Sequence, residues 1–263
     1  PLMAAKALDV SATYYEEKTL RDKRVDNVQY PVAADVIAAI RDCCLEEGRI
    51  PLTDEALNIA AAAGIKSVAG ATVKSAGEEK DISLKLPFAV KLLSRNASHK
   101  SDIGGVRLKI VNHEALVATI ADMTRHFENI TPRPSIDGFL VQEMAAEGVE
   151  CFVGGRQDPV FGPIVIAGLG GIFLEIFKDT AIRLAPVTKD VALDMLRQLK
   201  AYPVLQGARG KMPADMDALA DIICRVSHLL AQVPYIGEID LNPLIVHETG
   251  KGVSAVDCRV FFK

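Results

Sequence analysis

Tryptophan is absent from this sequence, and phenylalanine and tyrosine make up only 5% of its 263 residues. The 34 acidic side chains outnumber the 30 basic ones, so the formal net charge is −4. Proteins that bind nucleic acids commonly combine a basic excess with aromatic side chains on which bases stack. The composition therefore argues against a nucleic-acid partner.

Long apolar runs and paired cysteines are also missing. No run approaches the roughly 18 apolar residues of a membrane-spanning helix, and no charged-then-apolar leader opens the chain. The cysteines form no CxxC pair, as disulfide frameworks and zinc sites usually require. They are Cys43, Cys44, Cys151, Cys224 and Cys258. We therefore expect a cytoplasmic protein with free thiols and no membrane partner.

The hydrophobic residues, 49% of the chain, suffice for a sizeable core. Their spacing predicts helices over residues 33–47, 53–64 (capped by Thr53), 112–127, 188–199 and 215–232. Strands are predicted over residues 65–68, 88–92, 138–142, 150–154, 164–167 and 175–178, followed by a hairpin that turns at Thr249-Gly250. Because strands and helices do not strictly alternate, we expect an α+β fold of two lobes rather than a Rossmann sheet.

The C-terminal hairpin carries the most informative polar residues. Alternation places Ile239 and Leu241 on one face of the strand and Asp240 and Asn242 on the other. With the turn at residues 249–250, Asn242 would lie opposite Asp257. Oxygen ligands from two neighbouring strands suit Mg²⁺, whereas an ordinary solvated strand face explains the same pattern about equally well.

Single cations and glycine pairs mark further candidate sites. Lys91 interrupts an apolar strand, and Arg183 interrupts a later one. An anion such as phosphate would stabilise either cation, although a charge at a strand edge is the simpler interpretation. The loop over residues 98–107 contains Gly104-Gly105, whose backbone N–H groups suit phosphate oxygens, although a plain hairpin turn also explains them. A strand end at residues 142–144 could serve as a hinge, and Glu150 could meet a ribose hydroxyl.

Longer motifs carry a family resemblance from about residue 49 to residue 262. They are LTDEALNIAAAAGI, PFAVKLLS, HKSDIGGVRL, GFLVQEMAAEGVE, GGRQDPVFGPIVIAGLGGIFLEIFKD, AIRLAPV, LKAYPVLQGARG and EIDLNPLIV with AVDCRV. In this order they resemble the ATP-grasp module of NDP-forming acyl-CoA synthetases, the ADP-forming acetate–CoA ligase group. The resemblance implies an ATP-grasp fold with ATP or ADP between two α+β lobes. It also implies an N-terminal arm over residues 1–32, a first lobe over 33–130 and a second lobe over 131–263.

The resemblance also assigns residue roles. It implies that ATP or ADP is bound by Lys91, by the flap residues Lys100, Ser101, Gly104, Gly105 and Val106, by the adenine hinge Gln142, Glu143 and Met144, and by Glu150. Mg²⁺ would be held by Asn242 and Asp257, with Asp240 as a third member. Arg183 would hold phosphate oxygens, and His99 would carry phosphate as a second phosphohistidine.

Nothing in the sequence offers the CoA-binding domain that bears the main phosphohistidine of this family. The resemblance therefore implies a CoA-binding α subunit or domain as partner, through which a carboxylic acid and CoA enter the reaction. The expected reaction converts acid, CoA and ATP to acyl-CoA, ADP and phosphate. A carboxylate–amine ligase and a non-catalytic nucleotide-sensing module of a fused acyltransferase are the alternatives. One departure precedes the flap, where residues 94–97 read SRNA and relatives commonly carry Pro-Asp.

Overall fold

A computed structural model of the chain describes residues 29–74, 82–97, 100, 102–171, 179–207 and 212–263. The helices are α1 (Ala34–Glu46), α2 (Thr53–Ala62), α3 (His113–Asn129), α4 (Lys189–Arg197), α5 (Tyr202–Leu205) and α6 (Met216–Gln232). The strands are β1 (Gly70–Val73), β2 (Phe88–Leu93), β3 (Val106–Ile110), β4 (Gly138–Glu143), β5 (Val149–Asp158), β6 (Gly162–Leu169), β7 (Thr180–Leu184), β8 (Ile236–Val246), β9 (Val253–Ala255) and β10 (Cys258–Phe262).

The first sheet is antiparallel, with strand order β1-β4-β2-β3, and α3 covers one of its faces. Asn112 begins α3 by accepting a hydrogen bond from Ala115 N at 2.7 Å. The helix buries a stripe spaced four, three and four residues apart, as predicted: Leu116, Ile120, Met123 and Phe127. Each such side chain contributes about 1.5–3 kcal/mol by its burial, so the stripe fixes the helix on the sheet.

The second sheet has strand order β10-β8-β5-β6-β7, and β9 pairs with β8. The helices α4 and α6 pack on one of its faces, and α1 and α2 contribute to the same core. In β8, Ile239 and Leu241 are buried while Asn242 is exposed, so the predicted alternation is confirmed. The fold is the expected α+β arrangement of two lobes.

Three local predictions differ from the structure. The strand expected at residues 65–68 is reduced to a single bridge between Ser67 and Ala255, and the true strand is β1. The N-cap of α2 is Leu52 rather than Thr53, because Glu55 accepts the backbone N–H of Leu52 at 2.7 Å. The strand β4 lies beyond the predicted lobe boundary at residue 131, yet it pairs with β1 and β2. The strand expected at residues 175–178 lies outside the described residues.

Both ends of the described chain meet at Tyr235. Its hydroxyl lies 3.5 Å from the carbonyl of Ala34, which it contacts as donor, and its own carbonyl accepts the N–H of Lys263 at 3.0 Å. The start of α1 therefore lies beside the end of β10. No helix in the described ranges is long and apolar enough to cross a membrane.

Candidate functional site

One face of the first sheet carries the polar residues of the site. Register pairs Ala89 with Gln142 and Lys91 with Leu140, so Lys91 and Gln142 point to the same side. The opposite side, which includes Phe88, packs under α3. The site therefore uses the face that the helix leaves available, on the side of the second sheet.

Lys91 joins this face to the second sheet. Its side chain is buried, and Nζ donates to the carbonyl oxygen of Val256 at 2.7 Å. Burial lowers the pKa of the Lys91 ammonium, and the nearby Asp257 carboxylate opposes that shift. A buried amine beside one carboxylate and one carbonyl would gain further stabilisation from an anionic ligand.

Lys100 reaches the same region from the loop that precedes β3. Its Nζ donates to the hydroxyl of Thr53, the first residue of α2. Burial lowers the pKa of Lys100, against an attraction to Asp257. The charge of Asp257 thus acts on two lysines from different segments.

Glycine at two positions lets this loop adopt its path. Gly104 has φ +73°, where side chains are disfavoured, and a Cβ on Gly105 would lie 2.8 Å from the carbonyl oxygen of Lys100. Gly105 N donates to that oxygen at 2.6 Å, and Val106 pairs with Lys91 in the sheet. The predicted flap residues His99 and Ser101 lie outside the described residues.

The hairpin has the predicted register. Leu241 pairs with Cys258, and Asn242 N donates to the carbonyl oxygen of Asp257 at 3.2 Å. In the described part of the chain no group of three His, Cys, Asp or Glu residues could hold a metal ion. The pair of Asn242 and Asp257 would therefore need oxygen atoms from another source to complete a magnesium site.

Asp240 lies two residues before Asn242 in β8, on the same face of the strand, and it pairs in register with Arg259. Burial raises the pKa of Asp240 to about 6, although Arg259 acts in the opposite direction. The carboxylates of Glu238 and Asp257 add to the rise. Asp240 is thus a desolvated acid beside the candidate metal pair.

The predicted hinge, residues 142–144, lies at the end of β4. The backbone N–H groups of Glu143 and Met144 already donate, at 2.9 Å to Ala69 O and at 3.1 Å to Pro87 O. Gln142 is buried instead, and neither atom of its amide has a hydrogen-bond partner within the described structure. Its side chain is therefore a polar group available to a ligand, whereas those two N–H groups are already used.

Glu150 and Arg183 both lie on the second sheet, and Arg183 is on the side away from Asp240. Glu150 lies at the start of β5, where its carbonyl oxygen accepts the N–H of Gly170 at 2.8 Å. Arg183 pairs with Val165 on the helix-covered side of the second sheet and donates to Gln198 Oε1 at 2.8 Å. In β5, Gly155 pairs with Val165, whereas its neighbour Gly154 pairs with Ile166 and with Asp240. Neighbouring residues of a strand point to opposite faces, so Asp240 lies on the face opposite to that of Arg183.

Sequence reasoning missed two residues that contact this region. Thr53 accepts from Lys100, and Asp54 Oδ2 accepts from Thr72 Oγ1 at 3.0 Å. The sequence signalled them only as residues at the start of a helix, where polar side chains commonly bond to the helix's own backbone.

Comparison with known proteins identifies the family of this chain. Residues 43–262 match a family described as an ATP-grasp domain. The chain belongs to the ATP-grasp family. It is 43% identical over 188 residues to the β subunit of Pyrococcus furiosus ADP-forming acetate–CoA ligase I, an alignment that covers 72% of this chain and 78% of that one.

A longer relative and solved structures carry similar names, of an acetate–CoA ligase and of an acetyl-coenzyme A synthetase. This ATP-grasp chain is 35% identical over 262 residues, or 99% of its length, to ADP-forming acetate–CoA ligase I of Archaeoglobus fulgidus, and it spans 38% of that protein. It also resembles acetyl-coenzyme A synthetase 1 of Ca. Korarchaeum cryptofilum, solved with coenzyme A and Ca-AMPCP. That comparison gives a TM-score of 0.79 and 34% identity, and it covers 84% of this chain and 96% of the other. A second structure of that enzyme holds coenzyme A and Mg-AMPPCP, with its phosphohistidine segment pointing towards the nucleotide-binding site (TM-score 0.74, 31% identity, covering 86% and 99%).

Proposed function

We propose that this chain is the nucleotide-binding part of an ADP-forming acyl-CoA synthetase. The whole enzyme would interconvert acid, CoA and ATP with acyl-CoA, ADP and phosphate. The observation that carries the proposal is the buried Lys91, whose Nζ donates to the carbonyl oxygen of Val256, the residue before Asp257, while Asn242 N donates to the carbonyl oxygen of Asp257. Cations and metal-ligating oxygens at one point suit a nucleotide whose terminal phosphates bind Mg²⁺.

The residues present fit a nucleoside triphosphate or diphosphate. Lys91 and Lys100 would bind the phosphate oxygens with the remaining donors of their ammonium groups, while the Val256 carbonyl and the Thr53 hydroxyl that they contact now hold them in position. The Gln142 amide, buried without a partner in the described structure, can donate to and accept from the edge of a purine. The base and the phosphates would then lie along one face of the first sheet.

Mg²⁺ would be held by Asn242 and Asp257. The phosphates and water would supply the remaining oxygens of its octahedron. When bound, the ion neutralises charge on the phosphate oxygens during transfer. The two residues are neighbours in register, so the hairpin holds their backbones in fixed relation before any ligand arrives.

The chemistry of this part is phosphoryl transfer to a histidine. A nitrogen lone pair of the imidazole attacks the terminal phosphorus, and the bond from phosphorus to the bridging oxygen breaks with its electrons remaining on ADP. Lys91 and Lys100 stabilise the negative charge of the transferring group and of the departing ADP. The phosphohistidine segment of the Korarchaeum enzyme supports such an acceptor.

A CoA-binding partner completes the enzyme. The relative from Pyrococcus is a β subunit, and the chain covers most of it, whereas the Archaeoglobus enzyme is much longer than this chain. We therefore propose that the CoA site, the acid site and the main phosphohistidine belong to a partner subunit or domain. The identity of the acid would be set there.

The test is a thermal melt with and without Mg-ADP, repeated with excess EDTA. At 100 times its Kd a ligand stabilises by about 2.7 kcal/mol, which for a chain of this size shifts Tm by roughly 5–10 °C. The shift should require the metal, and it should disappear in Lys91→Met and Asp257→Ala. A metal-independent shift, or one that both variants retain, would contradict the proposed site.

A further inference from the structure

Two side chains in the described part of the chain have buried polar atoms without a hydrogen-bond partner. They are Gln142, at both atoms of its amide, and Asp54, at Oδ1. A buried polar group without a partner destabilises the folded state, and such groups are rare in native proteins. A purine would satisfy the amide of Gln142, which leaves Asp54 Oδ1 as the polar atom without a ligand.

Asp54 does not cap its own helix. It is the second residue of α2, where acidic side chains commonly bond to the backbone of the same helix. In α2 that role belongs to Glu55, whose carboxylate accepts the N–H of Leu52 at 2.7 Å. The carboxylate of Asp54 turns to the first sheet, where Oδ2 accepts from the hydroxyl of Thr72 at 3.0 Å. The start of α2 therefore presents Asp54 to the sheet.

Thr72 lies on the face of the first sheet that bears Lys91 and Gln142. Strand register aligns two rows on this face, one of Gly70, Gln142 and Ala89 and one of Thr72, Leu140 and Lys91. The side chain of Gln142 lies against Gly70, where an added Cβ would be 2.9 Å from Gln142 Cγ. A step of two residues along β1 is about 7 Å, so Asp54 contacts the sheet one row away from the amide.

Lys100 approaches Asp54 from another direction. Its Nζ donates to the hydroxyl of Thr53, the residue before Asp54. Burial lowers the pKa of Lys100, and the charges of Asp257 and of Asp54 oppose that shift. Asp54 thus has on one side the amide that would bind the base, and on the other a lysine that would bind phosphate. In a nucleotide the sugar connects these two groups.

The chemistry of a carboxylate limits what it can bind. An ionised carboxylate only accepts hydrogen bonds, so its ligand must be a donor. The phosphates of a nucleotide are anionic acceptors, and the amino group of adenine lies at the edge that Gln142 would bind. The remaining donors are the 2′ and 3′ hydroxyls of ribose, which acidic side chains also bind in dinucleotide-binding folds.

We propose that Asp54 Oδ1 accepts a hydrogen bond from one of the two ribose hydroxyls of the bound nucleotide. A hydroxyl that donates to a carboxylate forms one of the stronger hydrogen bonds in proteins, so Asp54 makes the site selective for the intact ribose. The carboxylate is held for this role by Thr72, through Oδ2. This inference rests on the proposed function.

The experiment measures, by calorimetric titration, the affinity of the holoenzyme for four nucleotides with Mg²⁺. The holoenzyme is this chain together with its CoA-binding partner, or the whole polypeptide if the two are fused. The nucleotides are ADP, 2′-deoxy-ADP, 3′-deoxy-ADP and inosine diphosphate, which keeps the ribose but lacks the amino group of adenine. Each is titrated into the unsubstituted protein, Asp54→Asn and a control, Asp35→Asn. Asp35 is the matched residue, because it is the second residue of α1 and is exposed.

We expect one of the two deoxy analogues to bind the unsubstituted protein about tenfold more weakly than ADP. Asp54→Asn should weaken ADP binding by a similar factor and leave the affinity for that analogue unchanged. Asp35→Asn should leave all four affinities unchanged.

Equal affinities of the unsubstituted protein for ADP and both deoxy analogues would overturn the inference. That result needs no variant, so it decides the question even if Asp54→Asn does not fold. The inference would also be wrong if Asp54→Asn kept the preference for ADP over the deoxy analogue, or lost instead a preference for ADP over inosine diphosphate. Failure of the unsubstituted holoenzyme to bind Mg-ADP would refute the proposed function instead.

Discussion

Replacing Asp240 with asparagine should stabilise the metal-free protein at neutral pH. Burial raises the pKa of this carboxyl group from 3.8 to about 6. Above pH 6 the folded protein therefore holds a charge that its surroundings disfavour, and Asp240→Asn removes that charge with little change of shape. The amide also keeps a polar group beside Arg259.

The magnitude follows from the size of the shift. A rise from 3.8 to about 6 corresponds to about 3 kcal/mol at 1.36 kcal/mol per pKa unit. Between these two pH values the folded state binds more protons than the unfolded state, so the stability attributable to Asp240 falls as pH rises. It is constant below pH 3.8 and above about pH 6. Asp240→Asn should thus gain up to about 3 kcal/mol at pH 7.5, or roughly 6–12 °C in Tm.

Urea denaturation of both proteins from pH 4 to pH 8, without metal, checks this prediction. The difference in free energy of unfolding should be small near pH 4 and grow to its full value above pH 6. Asp122→Asn is the control, since Asp122 and its partner Arg125 are both more than 70% exposed and such a pair contributes at most about 1 kcal/mol. A variant less stable than the parent at pH 7.5 would refute the reasoning, because Arg259 would then outweigh desolvation.

Three further substitutions test other parts of the site. Gln142→Leu should raise the free energy of unfolding of the ligand-free chain by about 1–3 kcal/mol, because a buried amide without a partner in the described structure is removed. Calorimetric titration should show that this variant binds Mg-ADP more weakly. A variant less stable than the parent would contradict the assignment of Gln142 as a ligand-binding residue. Thr53→Val should weaken Mg-ADP binding about tenfold by removing the acceptor of Lys100, whereas Thr53→Ser should preserve it; equal affinities for the two variants would rule out this positioning role. His99→Asn, assayed with the CoA-binding partner, should abolish acyl-CoA synthesis yet leave Mg-ADP binding intact, and full synthesis would exclude a relay through His99.

Strand periodicity accounts for what the sequence could predict of the metal pair. Side chains in a strand alternate with a period of two, and a turn of known position then fixes every cross-strand pair. Thr249-Gly250 sets the register that places Asn242 beside Asp257, and the structure confirms it. Periodicity likewise predicted α3, because its apolar stripe is long and regular.

Contacts between distant segments account for what the sequence could not predict. The hydrogen bond from Lys100 to Thr53 joins residues 47 positions apart, and no local pattern encodes it. Alternation placed Arg183 on the face opposite to that of Ile182 and Leu184. It could not predict which face of the sheet the helices cover. The strand β1 was missed because Gly70-Ala71-Thr72-Val73 contains only one fully buried residue and no apolar alternation.

The meeting of the start of α1 and the end of β10 at Tyr235 bears on how this unit can be joined to others. Ala34 and Lys263 contact the same residue, so a domain attached before the first helix or after the last strand would leave the molecule at the same place. The order of two domains along one polypeptide would then have little effect on their relative position. Linking residue 263 to residue 29 by a short flexible segment, and opening the chain at the turn between β5 and β6, where Val160 is 77% exposed, should give a permuted protein with the same site.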